Sequence, residues 1–281
     1  MKKSLSFCSV LIALLGSGCF KHHEAPYRPE TVATLADAVA KKASVERLDL
    51  SGQTVGALSP ELASMPKLSI LLLRNGKEVS SLSVLPSLKA LRTLDLTSTK
   101  LSLVPGDVFA LPALEQLYLT DNGITALPSS LGGMTGLNYL NLDRNQLTAL
   151  PPEMGSLAGL RWLRLNENKL TALPPEVAKL SKLQRVYLRQ NQLTAVPECL
   201  KGLPLLEDVS LSGNGVTQVP AWLADLPKLR QLDLDGCPVA KLPEKLDGFK
   251  KLQVLSLVRC PIDAAEKSRI RAALPEVHIA F

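Results

Sequence analysis

The decisive stretch is Leu137-Asn-Tyr-Leu140-Asn-Leu142-Asp-Arg-Asn145-Gln-Leu147-Thr-Ala-Leu150-Pro151-Pro-Glu-Met154-Gly-Ser-Leu157-Ala-Gly159. The pattern restarts at Leu160. Stepping by 23 residues gives Val45, Leu68, Leu91, Leu114, Leu137, Leu160, Leu183, Leu206, Leu229 and Leu252, with no insertion or deletion between these starts. A fixed period of this length marks a chain built from stacked supersecondary units. Other positions keep the same register. Asn122, Asn145, Asn168, Asn191 and Asn214 are all ninth in their units, and Pro105, Pro128, Pro151, Pro174, Pro197, Pro220 and Pro243 are all fifteenth.

Elementary chemistry assigns roles to these positions. The alternation in Leu140-Asn-Leu142 fits a short strand with two leucines inward. Such a strand cannot bury its apolar face alone, but parallel stacking at about 4.8 Å builds a continuous core. An amide at position nine, where the chain leaves the strand, can both donate to and accept from backbone groups of adjacent units. Proline at position fifteen cannot donate to a ladder, so the strand is over by then. The seven or eight residues that remain favour 3₁₀ or irregular turns on the return. In the second unit Gly76 takes the ninth position, and Val79 and Leu82 fall one residue late, which predicts an irregular loop over 75–84.

These repeats resemble the leucine-rich repeat family, in the subclass carrying LPxxLxxLxxL after the strand. The resemblance implies an α/β fold: a right-handed leucine-rich repeat solenoid with a parallel concave sheet, a 3₁₀ or irregular convex side, and helical caps at both ends. The expected organisation is a signal peptide over 1–18, a tether over 19–30, an N-terminal cap helix over 31–44, ten repeats over 45–262 and a C-terminal cap over 263–281. In the first cap, Val32, Leu35, Ala36 and Val39 share a helical face, with Thr31 as N-cap and Lys41-Lys42 at the C-terminal end. In the last, Asp263 caps a helix, Ile270 and Leu274 turn inward, and 275–281 forms an edge strand.

The amino terminus reads as an export signal. Lys2 and Lys3 precede the apolar run Val10 to Leu15, which is too short to span a bilayer, and the small residues Gly16-Ser17-Gly18. Cys19 follows directly and resembles the lipidated cysteine of a bacterial lipoprotein, although Leu15 lies four residues before it rather than three. The implied location is the cell envelope, anchored in a membrane through lipid on Cys19. Phe20, where inner-membrane lipoproteins carry Asp, points to the outer membrane by the same resemblance. A cleaved signal beside an ordinary cysteine is the competing reading. His22-His23 in the tether lacks further ligands for a metal, so no metal site is expected.

Composition narrows the function. Of 281 residues 46% are apolar but only 4% aromatic, and the formal charge is +6, falling to +4 without Lys2 and Lys3. That balance does not argue for nucleic acid. The three histidines, His22, His23 and His278, all lie outside the repeats, so the repeats hold no histidine-based catalytic triad. There is no Gly-rich phosphate loop, HExxH or GxSxG. The reading is a non-enzymatic module with no cofactor.

The binding signal lies at unit positions three, five and seven, whose side chains should leave the concave face. In the central units these are Tyr118, Tyr139, Trp162, Arg164, Arg185, Tyr187 and Arg189, and four of the chain's six Tyr and Trp residues fall there. Tyr, Trp and Arg are the side chains enriched at binding hot spots. Arg144 and Arg161 flank the patch, and Glu207, Asp208, Asp233 and Asp235 lie beyond it. Ile70 and Leu72 are outward on the second rung, where they extend the patch or lie beneath the amino-terminal segment. The partner expected there is a protein. Envelope glycan and a purely structural spacer are the alternatives, the last because neighbouring rings and guanidinium groups also steady each other across strands. Asp233 and Asp235 read as solvated charge. Cys199, with Trp222 beside it one rung on, reads as exposed. Cys237 and Cys260 share the ninth position on adjacent rungs, within backbone range of a disulfide; in the family, cysteine there also replaces asparagine as an inward thiol.

Overall fold

The computed structural model describes residues 30–281. The export signal, Cys19 and His22-His23 lie outside the described residues. Twelve strands pair in parallel, in strict chain order, into one sheet. Ten belong to the repeats: β2 (Arg47–Asp49), β3 (Ile70–Leu72), β4 (Thr93–Asp95), β5 (Gln116–Tyr118), β6 (Tyr139–Asn141), β7 (Trp162–Arg164), β8 (Arg185–Tyr187), β9 (Asp208–Ser210), β10 (Gln231–Asp233) and β11 (Val254–Ser256). The remaining two, β1 (Thr31–Val32) and β12 (His278–Ala280), flank them. Each repeat strand pairs residue i with residue i+23, so side chains at one unit position form a row across the sheet.

The core follows from the period. In the central unit Leu137, Leu140, Leu142, Leu147, Leu150, Met154 and Leu157 are all buried. Burying a side chain of this size stabilises by about 1.5–3 kcal/mol relative to exposure, so apolar burial dominates the stability of the stack. Burial has no direction, however, and does not pair the polar groups where the chain leaves the strand. Six of the seven prolines at position fifteen, Pro105 to Pro220, sit in extended backbone directly before a 3₁₀ turn. Pro243 differs: its turn is delayed to Asp247–Phe249. The second unit departs from the others over the expected loop, where the isolated bridges Thr54 to Lys77 and Ala57 to Ser81 tie it to the first unit before a short 3₁₀ turn at Leu85–Ser87.

Polar groups at the corner add directional ties between rungs. The Asn145 amide donates to Leu119 O (2.9 Å), Leu142 O (3.0 Å) and Asp143 O (3.3 Å), and its Oδ1 accepts from Ile124 N at 3.1 Å. Asn168 repeats this with Leu142, Leu165, Asn166 and the Leu147 amide. Asn191 and Asn214 do the same one and two rungs on. Cys237 and Cys260 are free thiols, so the disulfide alternative does not hold. Each thiol instead donates to the carbonyl 26 residues back, Leu211 O at 3.3 Å and Leu234 O at 3.2 Å, the contact that the amide makes elsewhere.

One feature of the corner was not read from the sequence. The eighth residue of every unit has positive φ, from Gly52 through Asn75, Ser98, Asp121, Arg144, Glu167, Gln190, Gly213 and Gly236 to Arg259. The glycines at three of these ten positions were the available signal. The left-handed turn aims each N–H at the next rung, as in Arg144 N to Asn166 O at 2.8 Å.

The ends are capped, with one correction. Thr31 is not a helix cap. It starts β1, which pairs with Arg47 and Leu48 and buries Val32. The helix, α1 (Leu35–Ala40), is shorter than expected; Thr34 caps it by accepting from Asp37 N at 3.1 Å. The Thr34 hydroxyl accepts from Asp37 N and donates to Asp37 Oδ2, while the backbone of Thr31 completes the first rung. At the other end Asp263 caps α2 (Ala264–Ala273), which buries Ile270 ahead of the buried Leu274. Buried Glu266 accepts from Leu242 N at 2.9 Å and pairs with Arg269, which also reaches the carbonyls of Leu242, Pro243 and Glu244. No helix among the described residues is long and apolar enough to cross a membrane.

Removing one corner amide orphans buried backbone groups on two rungs. Asn168→Ala should therefore cost about 2–4 kcal/mol in urea unfolding. Asn168→Cys should cost clearly less, because a thiol keeps the donation to Leu142 O. Equal losses for the two variants would contradict the ladder's role.

Candidate functional site

All seven residues of the expected patch lie half-buried on the open face of β5 to β8 and just beyond. Strand register places position-three side chains in one row and position-five side chains in the next. The Tyr118 and Tyr139 rings lie 4.8 Å apart at 35°, on the diagonal between rows. Tyr139 and Trp162 are lateral neighbours at 5.8 Å and 52°. The Arg185 guanidinium then covers Trp162, 4.4 Å from the ring centre. In the second row Arg164 lies 5.3 Å from the Tyr187 ring centre. The sheet thus joins six of the seven residues into a run of four, Tyr118, Tyr139, Trp162 and Arg185, and a pair, Arg164 and Tyr187, on the neighbouring row. Each such contact contributes about 0.5–1.5 kcal/mol, enough to hold the rings in place but small beside the leucine core.

Hydrogen bonds fix the polar ends. Tyr187 donates to Asp208 Oδ2 at 2.8 Å, and the Asn141 amide donates to the Tyr139 hydroxyl at 3.3 Å. Arg164 is committed, its Nε and a terminal nitrogen each 2.8 Å from Asp143 Oδ2. Burial opposes its charge, but the Asp143 carboxylate outweighs this and holds its pKa above the usual value. The side chains of Arg185 and Arg189 make no hydrogen bond or ion pair among the described residues. Burial pushes the phenols of Tyr118, Tyr139 and Tyr187 up, so all three stay neutral donors at neutral pH. The patch therefore offers ring faces, neutral hydroxyls and two uncommitted guanidinium groups.

The acidic residues beyond the patch are more structural than the sequence suggested. Asp233 accepts from Asp235 N at 3.0 Å and from Ser210 Oγ at 2.7 Å, and Asp235 accepts from Val258 N at 2.9 Å. These carboxylates replace ladder bonds and are not merely solvated charge. Burial raises the pKa of Asp208 and of Asp233 above the ordinary carboxylate value; the Tyr187 hydroxyl tempers the first and Ser210 the second. Among the described residues no three His, Cys, Asp or Glu side chains gather to hold a metal ion. Three expectations change. Leu72 is buried and Ile70 half-buried, so no exposed aliphatic patch extends the site. Cys199 is half-buried rather than exposed, and burial pushes its thiol up to about 11. Trp222 is likewise half-buried and donates to Glu198 at 3.1 Å.

A raised carboxyl pKa means that the folded state holds its proton more tightly than the unfolded state. Asp208 therefore adds stability as pH falls from above its folded value toward the ordinary aspartate range, and loses it on the way back. Asp208→Asn should raise the melting temperature at pH 7, with the gain shrinking as pH falls toward 4. Thermal melts across that range check this; a gain that does not change with pH would contradict the assignment.

The leucine rich repeat family model matches residues 89–147 and 158–216. No curated protein matches the chain. Among solved structures, a leucine-rich repeat protein of Leptospira interrogans is similar at 24% identity and TM-score 0.51, over 90% of this chain and 100% of that one. An internalin of Listeria monocytogenes is similar at 19% identity and TM-score 0.61, over 86% of this chain and 84% of that one. The plant peptide hormone receptor RGFR1, solved in complex with RGF2, is similar at 24% identity and TM-score 0.61, over 81% of this chain and 38% of that one. Together with the twelve-stranded parallel sheet and its 23-residue rungs, these matches show that the chain has the leucine-rich repeat fold.

Proposed function

We propose that this protein is a non-enzymatic binding module whose partner, a protein segment, docks on Tyr118, Tyr139, Trp162, Arg164, Arg185, Tyr187 and Arg189. The carrying observation is the stack itself: the scarce aromatics of the chain meet on one face, beside two guanidinium groups with no carboxylate bound. Rings held by their neighbours lose little side-chain entropy on binding, and half-covered ring faces still offer apolar area. Arg185 and Arg189 favour a segment bearing carboxylates; Tyr139 and Trp162 favour one with an apolar anchor. A receptor of similar fold, solved with RGF2, supports the scaffold as a protein binder.

The location proposed is the cell envelope, probed through the amino-terminal sequence. Lys2-Lys3, the apolar run and Cys19 together support export and a lipid anchor, with the outer membrane as destination. Growth with an alkyne-tagged fatty acid should label the wild type and leave Cys19→Ser unlabelled. Equal labelling would rule out Cys19 as the anchor.

The binding proposal is tested by crosslinking and capture from envelope fractions. The wild type is compared with a Tyr139→Ala, Trp162→Ala, Arg164→Ala, Tyr187→Ala variant shown to be folded by circular dichroism. A protein recovered with the wild type and lost with the variant supports the proposal. Identical recovery overturns it. Retention on wall polymer that depends on Trp162 alone, with no protein recovered, would establish glycan as the ligand instead.

A further inference from the structure

A second surface lies beside the stack, at the edge where the strands begin. Arg92, Ala113, Glu115, Thr135, Gly136, Asn138, Gly159, Arg161 and Lys182 line a shallow groove of about 510 Å³. Arg92, Glu115, Asn138 and Arg161 are position-two residues, and Ala113, Gly136, Gly159 and Lys182 are the last of their units, so Asn138 and Arg161 immediately precede Tyr139 and Trp162 of the stack. The groove is continuous with the proposed binding face.

Its charge is one-sided. Three cations line it against a single carboxylate, and that carboxylate, Glu115, is already bound by Arg92. The exposed side chains of Arg161 and Lys182 make no hydrogen bond or ion pair among the described residues. The half-buried Asn138 side chain likewise makes no hydrogen bond there. The two glycines open the floor for different reasons. At Gly159 a Cβ would meet Thr135 O at 2.8 Å and Leu137 O at 3.0 Å, so packing requires the glycine. At Gly136 the nearest atom to an added Cβ is Leu114 O at 3.7 Å, so no close contact demands a glycine, and the space above it stays open.

We propose that this groove is an anion subsite, in which Arg161 and Lys182 hold carboxylate side chains of an acidic peptide segment. The inference extends the concave-face reading: a segment crossing Tyr139 and Trp162 would pass its acidic residues over the strand-start edge into the groove. Two uncommitted cations on neighbouring rungs suit two carboxylates on one extended chain better than a single small ion. Asn138 supplies an amide to orient one of them.

The test uses the full chain and a fluorescein-labelled hexaglutamate peptide, read by anisotropy at low ionic strength, where screening extends beyond about 10 Å. Arg161→Ser/Lys182→Ser should weaken binding by at least about tenfold. Arg185→Ser/Arg189→Ser, on the concave face, should weaken it less than Arg161→Ser/Lys182→Ser does. Gly136→Glu should abolish binding by placing a carboxylate within the groove, whereas Gly136→Gln should retain it. Absence of hexaglutamate binding by the wild type, or equal binding by Arg161→Ser/Lys182→Ser, overturns the proposal. So does a loss confined to Arg185→Ser/Arg189→Ser. Failure of the concave-face reading is seen separately, as unchanged protein capture by the variant lacking Tyr139, Trp162, Arg164 and Tyr187.

Discussion

The structure depends on the asparagine or cysteine at unit position nine, present from Asn122 to Cys260 in seven successive rungs. Leucine burial supplies most of the favourable free energy and excludes a one-residue slip, which would turn every inward leucine to solvent, but it does not choose the hydrogen-bond partners at each corner. Asn145 does choose. Its amide reaches back 26 residues to Leu119 O, binds its own corner at Leu142 O, and accepts from Ile124 N. Each rung is thereby tied to the one before it by groups that would otherwise be buried without partners. The left-handed residue just before it turns the backbone so that these contacts can form.

Register then determines the surface. Because every strand is offset from the next by 23 residues, a residue type repeated at position three or five becomes a row of touching side chains. Tyr139, Trp162 and Arg185 meet for that reason alone, as do Arg164 and Tyr187. Short-range stacking holds the row together, and Asp143 and Asp208 anchor its polar ends. The same offset lines up Asn138 and Arg161 along the adjacent edge. A stiff scaffold that fixes aromatic and cationic groups at about 5 Å intervals binds with little ordering cost.

Most of the fold was legible because a repeated position reports its role many times over. Ten inward leucines, five asparagines and seven prolines leave little freedom in strand, corner or turn. What escaped depends on local competition. Thr31 reads as a cap in sequence, but its backbone pairs with Arg47, and Thr34, with Asp37 three residues on, caps the helix instead. The acidic side chains at positions five and seven looked solvated, because their partners, the amides of Asp235 and Val258 and the hydroxyls of Ser210 and Ser256, are brought to them only by the folded backbone and the register between rungs. The positive φ at position eight was hidden by the variety of residues that tolerate it, from Arg144 to Glu167. Of the site, the seven residues were readable by position, but not that Arg164 is neutralised by Asp143 while Arg185 and Arg189 are not. That distinction rests on geometry between rungs.

The central claim is that the aromatic–cation stack exists for a partner and not for the solenoid's own stability. Single alanine substitutions along the stack, with unfolding free energy and partner capture measured on the same samples, address it most directly. The account predicts that Trp162→Ala and Arg185→Ala each cost about 1 kcal/mol of stability or less, the scale of one stacking contact, while capture is lost. Losses of several kcal/mol with capture intact would show that the stack is a structural brace, and would contradict it.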